Sequence, residues 1–82
     1  MIHMIYKTKG TCSQAIEIEV DGDVIRSVTF MGGCNGNTKG ISQLVKGMKV
    51  ADVISRLEGV TCGPKSTSCP DQLAQALKSL NL

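Results

Sequence analysis

Four cysteines are the residues of this chain most able to do chemistry, because thiolates bind zinc, ligate iron–sulfur clusters and exchange with disulfides. Their spacing is C-x21-C, C-x27-C and C-x6-C, without the C-x2-C pair that is typical of zinc ribbons. Spacing alone therefore leaves three interpretations open: one shared thiolate site, unrelated buried thiols, or redox pairs. The four are Cys12, Cys34, Cys62 and Cys69.

The composition limits the setting in which these thiols work. The chain has 82 residues and a net charge of +2, with one tyrosine and one phenylalanine as its aromatic residues. Lys and Arg form no run and no apolar stretch could span a bilayer, so we expect neither a nucleic-acid surface nor a membrane segment. The opening MIHMIYKTKG has the wrong order for a secretory signal. We therefore expect a cytoplasmic protein with reduced thiols, whose thin core relies on a metal or a partner.

The sequence predicts three strands before the first helix. Residues 14–20 alternate strictly, with Ile16, Ile18 and Val20 on one face and glutamates on the other. The single histidine, His3, is predicted to be an exposed strand residue rather than a ligand. The predicted strands lie near 2–8, 14–20 and 24–30.

The sequence DGD between the second and third strands indicates a hairpin. A three-residue loop is favoured, because it pairs Val20 with Val24 and joins the two apolar faces. It leaves Arg26 on the apolar side. The alternative two-residue loop brings Glu17 opposite Arg26 but separates the apolar faces.

After the third strand the apolar period changes from two to about 3.6, which indicates helices. Strands followed by helices predict an α+β fold, with three helices packed on one face of a small antiparallel three-stranded sheet. The whole chain, 1–82, is predicted to be a single domain. The predicted helices lie near 38–46, 50–58 and 70–80. Their apolar stripes are Ile41, Leu44, Val45 and Met48; Val50, Val53, Ile54 and Leu57; and Leu73, Ala76, Leu77 and Leu80.

The hairpin predicts where the first two cysteines meet. Cys12 precedes the second strand and Cys34 follows the third. Since the outer ends of two antiparallel strands lie side by side, these two cysteines are expected at one end of the sheet.

The segment VTCGPKSTSCPDQL predicts the position of the other two. Proline favours the first position of a helix, so Pro70 is expected to start the third helix with Cys69 at its cap. The N–H groups and positive dipole end of a helix favour a thiolate there. Gly63 and Pro64 can turn the loop that carries Cys62 back toward Cys69. All four thiols are therefore expected to share one site.

The signature TSCPD at residues 67–71, with four cysteines in so short a chain, resembles the free-standing form of the TSCPD domain. Relatives of that domain occur at the C-terminus of adenosylcobalamin-dependent ribonucleoside-diphosphate reductases. The resemblance implies a role associated with a ribonucleotide reductase, with the reductase or another protein as the expected partner. A complete reductase is excluded, because 82 residues cannot hold its catalytic barrel.

A more distant resemblance concerns the metal. The blocks GTCSQAIEIEV, VTFMGGCNGNTKG and SCPDQLAQALKSL are similar to blocks of the U-type iron–sulfur scaffold proteins. In that family cysteines at the places of Cys12, Cys34 and Cys69 surround zinc or a nascent cluster. The family usually has Asp shortly after the first cysteine and His before the last, where this chain has Ser13–Gln14 and Ser68. Cys62 is then the expected fourth ligand.

Three functions follow as hypotheses. The first is a metal-binding module with Cys12, Cys34, Cys62 and Cys69 as ligands to zinc or an iron–sulfur cluster. The second is a thiol redox element serving a ribonucleotide reductase, in which Cys62 and Cys69 form a reversible disulfide. The third is a non-catalytic interaction or regulatory module, such as a homodimer. No Ser-His-Asp or Cys-His arrangement indicates a nucleophilic enzyme.

Overall fold

The computed structural model of the chain describes residues 1–11, 13–32 and 35–80. In chain order the elements are β1 Ile2–Lys7, β2 Ser13–Asp21, β3 Val24–Gly32, α1 Asn35–Val45, α2 Val50–Leu57 and α3 Cys69–Lys78. The strands form one antiparallel sheet in the order β1-β2-β3. The predicted α+β fold, with three strands followed by three helices, is confirmed.

The core lies on the face of the sheet that carries the alternating apolar residues of β2. Ile16, Ile18 and Val20 are fully buried, as the alternation predicts. Glu17 lies on the other face, where His3 Nε2 is 2.6 Å from its carboxylate and both side chains are partly exposed. The helices complete the core with Val45, Val50, Val53, Leu73, Ala76 and Leu77.

The register of the β2–β3 hairpin differs from both predicted registers. Val20 lies opposite Ile25 and Ile18 opposite Val28, so Arg26 is left without a partner in a β-bulge. The extra residue lets Ile25 and Val28 both face the core, whereas Arg26 is exposed. The favoured three-residue loop was wrong because strict alternation cannot bury apolar residues of opposite parity, and a bulge can.

The stripe predicted for α1 is confirmed apart from Leu44. Val45 is buried, and Ile41 and Met48 are partly buried against the core, with Met48 beyond the end of the helix. Leu44 is 78% exposed and Thr38 is buried, so the buried face of the helix is turned toward Thr38 and away from Leu44. The stripes predicted for α2 and α3 are buried or partly buried as expected. None of the helices described is long and apolar enough to cross a membrane.

Candidate thiol site

The end of the sheet opposite the hairpin turn is where Ser13 and Gly32 lie, beside the N-terminus of α3. Ser13, the first residue of β2, pairs with Gly32, the last residue of β3. The predictions made for Cys12 and Cys34 lie outside the described residues. The segments next to them, Ser13 on one side and Gly32 on the other, are neighbours as the hairpin argument requires.

The N-terminus of α3 holds Cys69 in a fixed position. The N-cap is Ser68, not Cys69 as the proline argument predicted, and Cys69 is the first residue of the helix, followed by Pro70. Ser68 Oγ accepts a hydrogen bond from the N–H of Asp71 at 3.1 Å and donates one to the carbonyl of Val60 at 2.5 Å. A serine is preferred over a cysteine at this position because its oxygen is the better acceptor for the unpaired N–H groups.

Thr67 and Asp71 bracket the cysteine with a second set of hydrogen bonds. The Thr67 hydroxyl donates to Asp71 Oδ2, and this bond is the main reason why the pKa of Asp71 lies below its ordinary value of 3.8. Burial acts in the opposite direction, and the N–H of Gly59, 2.8 Å from Oδ1, lowers the pKa further. Asp71 is 7% exposed, so its charge is held by these donors rather than by water.

Gln72, the residue after the signature, joins Thr67 to the connection between β1 and β2. Gln72 Nε2 donates to Thr67 Oγ1 at 3.0 Å, and Gln72 Oε1 accepts from the N–H of Lys9 at 3.1 Å. Gly10 has a positive φ of 75°, and a Cβ atom there would lie 3.1 Å from Thr67 Cγ2. The positive φ favours glycine at this position, and the close approach places Gly10 against Thr67, two residues before α3 begins at Cys69.

Cys69 Sγ faces this connection directly. It lies 3.2 Å from the hydroxyl of Ser13, whose side chain is 4% exposed. Cys69 is partly buried, Cys62 is exposed, and both are free thiols. The loop of Cys62 is closed on itself, because the N–H of Cys62 donates to the carbonyl of Thr67 at 3.2 Å.

Two cavities have both of these thiols in their walls. A small one of about 30 Å³ is also lined by Thr11, which precedes Cys12 in the chain. A groove of about 300 Å³ is also lined by Asn37 and Thr38, in the early turns of α1 that follow Cys34. Cys62 and Cys69 therefore share one cavity with the residue before Cys12 and another with the helix that follows Cys34.

The sequence signature and the fold now point to one family. The TSCPD domain family matches residues 4–81, nearly the whole chain, and its five-letter signature is the Thr67–Asp71 segment. The chain belongs to the TSCPD domain family. A comparison with curated proteins finds no match, and a comparison with solved structures finds none either. The fold of this TSCPD domain is therefore described from its own residues.

The architecture explains the TSCPD signature residue by residue. Ser68 caps α3, Pro70 suits its first turn, and Thr67 and Asp71 join it to neighbouring segments. Cys69 is the residue of the signature whose side chain is directed at the β1–β2 connection, through Ser13. The arrangement can present a thiolate, and with Cys62 a pair of thiolates, to a metal ion or a disulfide. Within residues 1–11, 13–32 and 35–80, no three metal-ligating side chains form a group.

Sequence reasoning missed Ser13 and Gly59 as partners of the TSCPD signature. The sequence S-x-x-D at Ser68–Asp71 resembles a capping box and could have indicated the Ser68 cap. No such local signal exists for Ser13 or Gly59, because their contacts with Cys69 and Asp71 join separate elements of the fold.

Proposed function

We propose that this TSCPD domain is a small metal-binding module that holds zinc or an iron–sulfur cluster through four thiolates. The observation that carries the proposal is that Cys62 and Cys69 line two cavities, one bordered by Thr11, which precedes Cys12, and the other by Asn37 and Thr38, which follow Cys34. The proposed ligands are Cys12, Cys34, Cys62 and Cys69.

Chain connectivity supports convergence of the remaining ligands. Cys12 is joined covalently to Ser13, and consecutive Cα atoms are about 3.8 Å apart. Ser13 Oγ in turn is 3.2 Å from Cys69 Sγ. Cys34 is two residues beyond Gly32, which pairs with Ser13 across the hairpin. The proposal therefore needs only a short reach from each of these segments for its thiol to approach Cys69.

The donors present suit the proposed group. Thiolates are preferred ligands of zinc and of iron–sulfur clusters, and four of them give a closed site without an open position for substrate. Such a group, when bound, supplies folding free energy, and a cluster also supplies an electron-transfer centre. The chain's own part is to hold Cys69 at a capped helix end and Cys62 in a closed loop. The resemblance to U-type scaffold proteins points the same way.

Metal content of anaerobically purified protein tests the proposal. Zinc, iron and acid-labile sulfide are measured per chain, for the wild type and for Cys12→Ser, Cys34→Ser, Cys62→Ser and Cys69→Ser. Near-stoichiometric metal is expected in the wild type. Each substitution should lower both metal content and the free energy of unfolding, since binding is coupled to folding.

Ser66→Ala is the matched control, because Ser66 is exposed in the same loop as Cys62. It should keep the wild-type metal content. A wild type without metal, or four Cys→Ser variants with unchanged metal, would refute the metal-binding proposal.

A second candidate, thiol–disulfide exchange, is favoured by the free state of Cys62 and Cys69 in shared cavities. Here the two thiols give two electrons and two protons to a disulfide of a partner. Cys62 and Cys69 become joined by a disulfide, and the partner's disulfide becomes two thiols. Such a dithiol could restore the cysteine pair that a ribonucleotide reductase oxidises in each turnover.

Reaction of the metal-free protein with glutathione disulfide tests this second candidate. The expected product has lost two hydrogens and carries a Cys62–Cys69 link in its peptide map. Cys62→Ser should instead stop at a mixed disulfide on Cys69. Absence of reaction in the folded, metal-free wild type contradicts the redox function.

Both candidates imply a cytoplasmic setting and a partner. The relationship to the C-terminal domain of adenosylcobalamin-dependent reductases makes such a reductase the first partner to test. A homodimer is the other arrangement, and sedimentation of the purified chain with and without the reductase distinguishes the two. A purely regulatory interaction is the outcome if binding occurs without metal or thiol exchange.

A further inference from the structure

The hydroxyl of Ser13 is buried beside the sulfur of Cys69. Its side chain is 4% exposed, and Oγ lies 3.2 Å from Cys69 Sγ and 3.1 Å from Thr11 Oγ1. Buried hydroxyls almost always make hydrogen bonds, so we interpret both contacts as hydrogen bonds of the Ser13 side chain. Ser13 lies outside the TSCPD signature, which is residues 67–71.

The charge of the sulfur fixes the direction of these hydrogen bonds. A hydroxyl carries one proton to donate, whereas a thiolate can only accept. When Cys69 is a thiolate, Ser13 must donate to Sγ, and Ser13 Oγ is then free to accept from Thr11. The carbonyl of Ser13 is served separately by the Thr8 hydroxyl at 2.6 Å. The Thr11 hydroxyl, which can donate to that carbonyl at 3.3 Å, can instead donate to Ser13 Oγ at 3.1 Å, and the order of donation toward a Cys69 thiolate is then Thr11 to Ser13 to Cys69.

We propose that Ser13 is a positioning residue. Its hydroxyl donates a hydrogen bond to the thiolate of Cys69 and so fixes the sulfur as a ligand. This inference rests on the proposed function, since it concerns a sulfur that binds metal. Partners that hydrogen-bond to metal ligands orient them and tune the affinity and electronic state of the metal. Thr11 Oγ1 lies 3.1 Å from Ser13 Oγ, so the site has one hydroxyl from the β1–β2 connection and one from the first residue of β2.

Metal affinity in Ser13→Ala and Ser13→Thr tests the role of the hydroxyl. With cobalt(II) as probe in competition with a chelator, Ser13→Ala should bind about 10-fold to 100-fold more weakly. Its thiolate-to-cobalt charge-transfer band should shift, because the sulfur loses a donor. Ser13→Thr keeps the hydroxyl and should restore both affinity and band. Ser27→Ala is the matched control, because Ser27 Oγ donates to Glu19 in the same sheet without touching sulfur.

A second readout needs no metal. In the metal-free protein, Cys69 of Ser13→Ala should be alkylated at a rate that differs from the wild-type rate, because the sulfur loses the hydroxyl that holds it in place. Cys62 in the same molecule is the internal reference, and its rate should not change. This readout separates the hydroxyl–sulfur contact from the metal-binding proposal.

Each outcome of these experiments tests either the metal-binding function or the role of Ser13. A wild type that binds no cobalt refutes the metal-binding function, and the alkylation rates alone then decide whether Ser13 supports the Cys69 thiolate. If cobalt binds and Ser13→Ala matches Ser27→Ala in affinity, band and Cys69 alkylation, the role of Ser13 is refuted. Weak binding that Ser13→Thr does not restore also refutes it, since the hydroxyl is then not the cause.

Discussion

The carboxylate of Asp71 accepts a hydrogen bond from the N–H of Gly59 at 2.8 Å, and this bond ties the start of α3 to the chain just beyond the end of α2. Gly59 has a positive φ of 83°, which lets the chain turn at that point. The acidic residue of the TSCPD signature is therefore a structural connector. It fixes one end of the loop that carries Cys62.

Replacing the Asp71 carboxylate with an amide should destabilise the fold. In Asp71→Asn the Thr67 hydroxyl faces a weaker set of acceptors, and the charge at the helix N-terminus is lost. We expect a loss of about 1–3 kcal/mol in the free energy of unfolding, measured by urea titration. Asp52→Asn, an exposed first-turn aspartate of α2, should lose less than about 1 kcal/mol. Equal losses in the two variants would contradict the connector role.

The stability contributed by Asp71 should depend on pH in one direction. Its pKa is lowered in the folded chain, chiefly by the Thr67 hydroxyl, so folding favours the ionised form. The contribution is fully present above the ordinary value of 3.8 and is lost as pH falls through the lower folded pKa. The difference in unfolding free energy between wild type and Asp71→Asn should therefore narrow below pH 3.8. A difference that stays constant down to about pH 2 would contradict this linkage.

Removal of the Ser68 hydroxyl should lower the free energy of unfolding by more than an ordinary surface substitution does. Ser68→Ala loses the cap of α3 and the bond to the carbonyl of Val60, for which we expect about 1–2 kcal/mol in urea unfolding. Ser55→Ala is the control, because the exposed Ser55 hydroxyl also donates to a backbone carbonyl. Its effect should stay within about 0.5 kcal/mol. A Ser68→Ala variant as stable as Ser55→Ala would show that the cap is dispensable.

A methyl group at Gly10 should separate the β1–β2 connection from α3. In Gly10→Ala the positive φ strains the backbone, and the added Cβ also lies 3.1 Å from Thr67 Cγ2. Gly22→Ala has a similar φ of 65° and meets nothing within 4 Å, so it pays about 1–2 kcal/mol for conformation alone. We expect Gly10→Ala to lose roughly 1 kcal/mol more than Gly22→Ala, measured by thermal and urea unfolding. Similar losses of unfolding free energy in the two variants would mean that the Thr67 side chain moves away from the added methyl group without destabilising the fold.

The sequence predicted the elements well because their signals are local. The alternation of Ile16, Ile18 and Val20 and the stripe of Leu73, Ala76 and Leu77 each depend on a single periodic segment, and all six residues are buried. Leu44 also matched its stripe and yet is 78% exposed. The rotation of a helix about its axis is decided by what packs against it, which a single segment does not encode.

The bulge at Arg26 and the contacts of the thiol site were beyond local reasoning. Ile25 and Val28 differ in parity, and the sequence does not say which strand will accommodate the mismatch. Ser13 and Cys69 meet only because the sheet end and the helix start are packed together. The common site of the four cysteines stays a prediction, and the sequence did not predict the hydroxyls of Ser13 and Thr11 beside Cys69.

The hydrogen bond between the N–H of Cys62 and the carbonyl of Thr67 has a consequence for engineering this domain. Residues 63–66 form an exposed arc whose two ends are already joined. Lengthening such an arc changes its closure entropy only slowly, by about 0.6 kcal/mol for each doubling. A short peptide tag inserted between Lys65 and Ser66 would project into solvent while both thiols stay in place. The arc is therefore a natural attachment point for a label or an affinity handle beside the site.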